Sequence, residues 1–187
     1  MKKTSIIVLS AIVAMTLVVS CGDDPTTPAE EDNLEWPDMT SMDDVVDVLL
    51  LTYANPRDGE TAARYNALLH PQYFFELAPS DVELGDPSFL TRAEDIAATE
   101  WIFTETTRLE LTLFPLEGTW GDMLEVEGEA CPNCHVTERQ YLVRAQFGDE
   151  STIFQSPVGR VSVTIIVAPD VSDASKWVIR AMYDQEI

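Results

Sequence analysis

Residues 65–77 read YNALLHPQYFFEL, and the fold turns on how that stretch is divided. Tyr65, Leu68 and Leu69, with Ala62 one turn earlier, lie on one side of a helix. Pro71 lacks an amide hydrogen and clashes with the preceding turn, so the helix cannot continue beyond His70. Tyr73 to Leu77 is aromatic and alternating, which predicts a strand. A short helix therefore passes directly into a strand.

On the N-terminal side, Ser41-Met42-Asp43-Asp44 opens a longer helix: a hydroxyl cap, then carboxylates in the first turn where the helix dipole favours them. Val45, Val48, Leu49 and Tyr53 follow at helical spacing, Val46 and Leu50 widen the apolar face, and Asn55-Pro56 stops it. On the C-terminal side, Thr91-Arg92-Ala93-Glu94 fits a capping box for a third helix carrying Ile96, Ala97, Trp101 and Ile102. Beyond it the period changes to two. Leu109, Leu111 and Leu113 alternate with polar residues; Met123 to Glu127 is a short strand; Tyr141, Val143, Ala145 and Phe147 mark the inward side of a longer one. Val161 to Val167 and Trp177 to Tyr183 repeat the pattern. Helices first and antiparallel strands last predict an α+β domain, three N-terminal helices packed on one face of a curved antiparallel sheet.

That element order, with its helix–Leu–His-Pro–strand segment at residues 64–77 and an ending of KWVIRAMYDQ at residues 176–185, resembles the NTF2-like, or SnoaL-like, superfamily. The resemblance spans residues 41–187 and rests on element order more than on any single residue. It implies a cystatin-like cone whose sheet wraps a pocket capped by the helices. It also implies a function among isomerases, dehydratases, polyketide cyclases and non-catalytic binding or assembly domains, and a homodimer through the open sheet. No set of catalytic residues transfers: His70 matches the recurrent His-Pro position, which in the family often marks a helix end. The aromatic residues Tyr53, Tyr65, Tyr73, Phe75, Trp101, Tyr141 and Trp177 are candidates to line the pocket, although aromatics at helix and strand spacing also build ordinary cores. Glu76 and Glu100 would be pocket acids only if they pointed inward.

The N-terminus reads as an export signal, residues 1–20. Lys2 and Lys3 begin it, Ile6 to Val19 is almost unbroken apolar sequence, and Ser20 precedes Cys21. An apolar stretch this short reads as a cleaved signal and not as a membrane span. Val18-Val19-Ser20-Cys21 resembles the lipobox of bacterial lipoproteins, which implies acylation of Cys21, a stable membrane anchor, and a place in the cell envelope, at the outer membrane by the residues that follow. Residues 21–40, rich in Pro, Thr and carboxylates, read as an acidic tether; Trp36 within it is expected either to dock on the domain or to sit exposed.

The chain carries 33 acidic and 11 basic residues, net −22; loss of Lys2 and Lys3 with the signal leaves −24. Nucleic acid is excluded, because its affinity comes from cations that replace phosphate counterions. So is charge-driven docking on anionic lipid. No metal site is legible: the EF-hand spacing is absent, and few zinc ligands exist.

One chemical motif stands out. Cys131-Pro132-Asn133-Cys134-His135 fits C-x-x-C-H, the attachment signature of c-type haem, for which His70, Met123 or Met182 would supply a sixth ligand. It lies between strands, however, and Pro132-Asn133 suits the centre of a type I turn. A disulfide across a hairpin tip, or a plain turn, leads over covalent haem, and no cofactor is expected. The sequence thus predicts an exported, lipid-anchored domain that binds a small apolar ligand or a partner protein without catalysis. A haem carrier and an NTF2-like lyase or isomerase are the alternatives.

Overall fold

The computed structural model describes residues 35–82, 88–116, 120–148, 152–156 and 161–186, all within a unit that runs from Glu35 to Ile187. The signal segment, Cys21 and the tether up to residue 34 lie outside the described residues.

Helix α1 (Met42–Ala54) starts at a complete capping box. The Ser41 hydroxyl accepts from the Asp44 amide at 3.1 Å, and the Asp44 carboxylate accepts from the Ser41 amide at 3.0 Å. Val45, Val48, Leu49 and Thr52 are its buried stripe. Helix α2 (Thr61–Leu68) is tied back to α1 by the Thr61 hydroxyl, which donates to the Asn55 carbonyl at 2.5 Å. Strand β1 (Leu69–Glu76) begins at the next residue, so the His-Pro pair lies inside the strand and not in a linker. After β2 (Phe89–Thr91), α3 (Arg92–Glu105) opens on the Thr91–Glu94 capping box. Strands β3 (Thr106–Pro115), β4 (Gly121–Val126), β5 (Glu129–Phe147), β6 (Thr152–Gln155), β7 (Val161–Pro169) and β8 (Trp177–Glu186) complete the chain.

The sheet runs β2-β1-β8-β7-β5-β3, with β4 and β6 also paired to β5. The 19 residues of β5 serve two edges: β4 then β3 along one, β7 then β6 along the other. Every pair is antiparallel except β1 with β8. This departs from the wholly antiparallel sheet that the period-two runs suggest. β1 enters from the helical layer and meets β8 only after a crossover of about the whole domain, so no hairpin dictates its direction.

Bulges curl the sheet. Arg180 is an extra residue in β8, between Ile179, opposite Val167, and Ala181, opposite Ile166. On the other side of β8, His70 to Tyr73 stretch past the same point. A bulge bends its strand and increases local twist, and it reverses which face the later residues take. Hence Trp177 and Ile179 point to the helices, Ala181 and Tyr183 point away, and Met182 returns to the helix side.

Two apolar clusters result. The larger lies between helices and sheet and includes Val45, Val48, Leu68, Tyr65, Tyr73, Phe103, Leu109, Ile165 and Ile179. The smaller lies on the outer face, where Val126 and Cys134 of the β4–β5 hairpin cover Ile166, Ala168 and Ala181. The last part of the acidic stretch is seated on the unit: Trp36 and Met39 pack against the larger cluster. The Trp177 amide donates to the Met39 carbonyl at 2.8 Å, and the Arg64 guanidinium lies 5.6 Å from the Trp36 ring centre.

Candidate functional site

The concave side has a filled floor and an open wall. On the floor, Tyr53, Tyr65 and Phe103 meet edge to face in all three pairings, with ring centres 5.5–6.5 Å apart, the geometry that ring quadrupoles prefer. Asp95 of α3 is 7 % exposed and accepts a 2.6 Å hydrogen bond from the Tyr65 hydroxyl, with the Tyr73 hydroxyl as a second donor. Burial raises the Asp95 pKa, and the two hydroxyls oppose that rise by holding the charged form. Burial first, and after it the neighbouring tyrosines and Asp95, push the Tyr65 and Tyr73 hydroxyls well above their ordinary range, so both remain donors. Tyr65 and Tyr73, read from sequence as pocket lining, are thus core here, clamped onto a carboxylate.

Asp95 was invisible to sequence reasoning because it sits in the first turn of a capped helix, where an acid reads as a dipole partner. The available signal was the i, i+4, i+8 row Asp95–Thr99–Phe103, the buried side of α3.

The open wall is the inward row of β3, β5, β8 and β1. Leu111, Leu113, Tyr141, Val143, Phe147, Met182 and Phe75 all face the helices yet remain only half-buried. Within this apolar surface the Tyr141 hydroxyl donates to the Asp184 carboxylate at 2.9 Å. Tyr141 and Phe75 face the helices, half-buried. Trp101 does not: it is 58 % exposed on the outer side of α3 and lies 5.9 Å from the Phe147 ring. Trp177 is half-buried at the far end of the cone, 5.3 Å from the His135 ring and edge-on to it. Glu100 is exposed, and Glu76 pairs with Tyr183 on the outer face, so neither acid points into the cone.

The C-x-x-C-H motif takes a form other than a hairpin tip. The β4–β5 turn is Glu127-Gly128, both at positive φ (52° and 77°), the two-residue turn that matches the twist of paired strands. Cys131 to Asn133 follow as a bulge in β5, between Ala130, opposite Glu125, and Cys134, opposite Met123. Asn-Gly and Asp-Gly signals mark such turns from sequence, and Glu-Gly is a weaker one, so the turn was misplaced onto Pro132-Asn133. A disulfide joins Cys131 to Cys134, with Cα atoms 5.4 Å apart; in this state neither sulfur is available for a thioether link. The adjacent His135 points to the opposite face, where its Nδ1 lies 3.2 Å from the Asp122 carboxylate.

Beside the disulfide, on the outer face, is a cleft of about 90 Å³ lined by His70, Gln72, Val126, Glu129, Ala130, Cys131, Ala168 and Arg180. Arg180, in its bulge, and His70, in the facing one, are each only 7 % exposed. Arg180 donates through one terminal nitrogen to the Gln72 carbonyl, and its other terminal nitrogen is 3.5 Å from the Glu129 carboxylate. His70 Nδ1 accepts from the Gln72 amide at 3.1 Å. Burial, and then the charge of Arg180, lower the His70 pKa and favour the neutral ring. Among the described residues no three His, Cys, Asp or Glu side chains converge as a metal site would need.

Similar folds occur among solved structures. A protein from Novosphingobium aromaticivorans, named as a candidate aromatic ring hydroxylase, superposes with a TM-score of 0.54 at 8 % identity, over 80 % of this chain and 89 % of that one. A conserved protein from Planctomyces limnophilus gives 0.51 at 12 % identity, over 76 % and 91 %. An NTF2-like superfamily protein from Salmonella enterica gives 0.49 at 12 % identity, over 76 % and 85 %. The domain shares with the first two an α+β fold of helices packed against a strongly curled sheet, the architecture that the resemblance to the NTF2-like superfamily implies. Identities this low speak for the fold alone and leave activity to the residues themselves. No family model matches the sequence, and no curated protein is significantly similar to it.

Proposed function

We propose that this chain is an exported, lipid-anchored domain whose NTF2-like cone binds a small, largely apolar molecule bearing one polar group, without transforming it. The observation that carries the reading is the half-buried apolar wall of Leu111, Leu113, Val143, Phe147, Met182 and Phe75 around the hydrogen-bonded pair Tyr141–Asp184. Binding sites of this kind combine apolar lining with a few placed polar groups that fix orientation. The absence of chemistry is argued from Asp95, the one buried acid with a raised pKa among the described residues: tyrosine hydroxyls already occupy it, and it sits in the filled floor. The anchor is argued from the export signal and Cys21.

The test of the ligand site is methyl-labelled NMR with p-cresol as the probe, an apolar ring with one hydroxyl. Saturable shifts confined to Leu111, Leu113, Val143 and Met182 are expected. Shifts scattered over the surface, or none up to the solubility of the probe, would refute the reading. Intact mass of the protein purified from bacterial envelopes tests the anchor: acyl mass on Cys21 is expected, and an unmodified Cys21 would make the protein a secreted one.

A further inference from the structure

The cleft at the disulfide-stapled hairpin is separate from the cone, on the opposite face of the sheet, and two buried polar side chains converge on it. Arg180 has five N–H donors. One terminal nitrogen is used by the Gln72 carbonyl, and the approach to Glu129 is long at 3.5 Å, with the Glu129 side chain 67 % exposed. A guanidinium held 7 % exposed, 5.9 Å from the Phe74 ring centre and with so loose a counter-ion, keeps donors to offer to a ligand in the cleft, since a buried charge is best tolerated when it is paired and hydrogen-bonded. His70 adds a second donor. Its Nδ1 is an acceptor for the Gln72 amide, so in the neutral ring the hydrogen sits on Nε2, for which no described residue supplies an acceptor. The walls are otherwise apolar: Val126, Ala130, Ala168 and the Cys131 side of the disulfide.

We propose that this cleft is a binding site for a small monocarboxylate, which takes the place of the Glu129 carboxylate between Arg180 and His70. Three considerations fix the ligand class. A carboxylate offers two in-plane acceptors to a guanidinium fork, the strong pairing for Arg. One guanidinium and one neutral imidazole N–H balance a single negative charge, and Glu129 at the rim disfavours a dianion. The cleft is small, about 90 Å³, so the site accepts a short organic acid with its alkyl end against Ala130 and Ala168. Glu129 is then an internal competitor: with no ligand present its own carboxylate neutralises Arg180 loosely from the rim. The disulfide fixes the register of β5 and so holds Glu129, two residues before Cys131, within reach of Arg180.

The experiment is a titration with sodium propionate at a fixed ionic strength, with sodium chloride as the control. It is followed through the side-chain nitrogen signals of Arg180 and His70 in the full mature domain. Saturable shifts of both signals with propionate, and not with chloride, are expected in the low-millimolar range, because a chain this acidic repels anions at long range. Glu129→Gln removes the competitor while leaving an exposed neutral side chain, and should tighten the dissociation constant at least threefold. His70→Ala should weaken it at least tenfold in the same background. The proposal is overturned if propionate and chloride act alike, if neither signal moves in the wild type or in Glu129→Gln, or if Glu129→Gln leaves the constant unchanged or weaker. None of these outcomes depends on whether the cone binds an apolar ligand.

Discussion

At the scale of single residues, two of the buried ionisable groups, Asp95 and His70, pull stability in opposite directions with pH, and each can be isolated by substitution. Asp95 has a raised pKa when folded, so the folded state holds its proton more readily than the unfolded chain does. Its contribution is therefore full below the ordinary value of 3.8 and is lost as pH rises through the raised value. Asp95→Asn keeps an acceptor for the tyrosine hydroxyls, and its urea midpoint should gain on the wild type steadily as pH is raised from 3.8. A constant gap between the two proteins would contradict this. His70 has a lowered pKa, so its contribution is present above the ordinary 6.5 and is lost as pH falls through the lowered value. His70→Gln should flatten that acid-side loss. Tyr65→Phe removes the 2.6 Å bond to Asp95 and leaves a buried carboxylate short of a donor. A loss of about 1.5–3 kcal/mol is expected for a hydrogen bond to a charged group, read by chemical denaturation.

At the scale of elements, legibility tracks how local the determining physics is. The three helices announce themselves through caps and 3.6-residue periodicity, and both capping boxes form as Ser41–Asp44 and Thr91–Glu94 spell them. Long strands with one buried face, such as β3 and β7, are equally plain. What escaped is everything set by pairing at a distance: the parallel match of β1 to β8, the bulge at Arg180, and the short strands β2 and β6, which exist only because a partner is present. An arginine inside the apolar run WVIRAM (residues 177–182) was the one local hint of that bulge. The tyrosines illustrate the same limit for the site. Spacing places Tyr53, Tyr65 and Tyr73 on inward faces but cannot distinguish a floor that Asp95 closes from a wall left open at Tyr141. For the β4–β5 hairpin, the prediction concerns the staple. Replacing Cys131 and Cys134 together by Ser should cost on the order of 2 kcal/mol by the chain-entropy relation for so short a loop. It should also raise hydrogen exchange in residues 121–136 before any change in the helices. Uniform loss of protection across the domain would show that the hairpin is no separate unit.

At the scale of the whole molecule, a strongly acidic chain, net −22, carries a cone with one side open. The proposed attachment to a membrane rests on acyl chains at Cys21, because a chain this acidic has no charge attraction for nucleic acid or anionic head groups. Among the described residues no helix is long and apolar enough to cross a membrane. Filling of the floor by Tyr53, Tyr65 and Phe103 leaves the wall around Tyr141 and Asp184 as the proposed binding surface. The measurement that tests this most directly is a fluorescence titration of the mature domain with N-phenyl-1-naphthylamine, a neutral apolar probe that brightens when it leaves water. The account predicts saturable binding at one site per chain. It also predicts at least tenfold weakening in Leu111→Asp, which sets a charge on the open wall, with the circular dichroism spectrum unchanged. Absence of saturable binding to the wild type, or binding that Leu111→Asp leaves untouched, would contradict it.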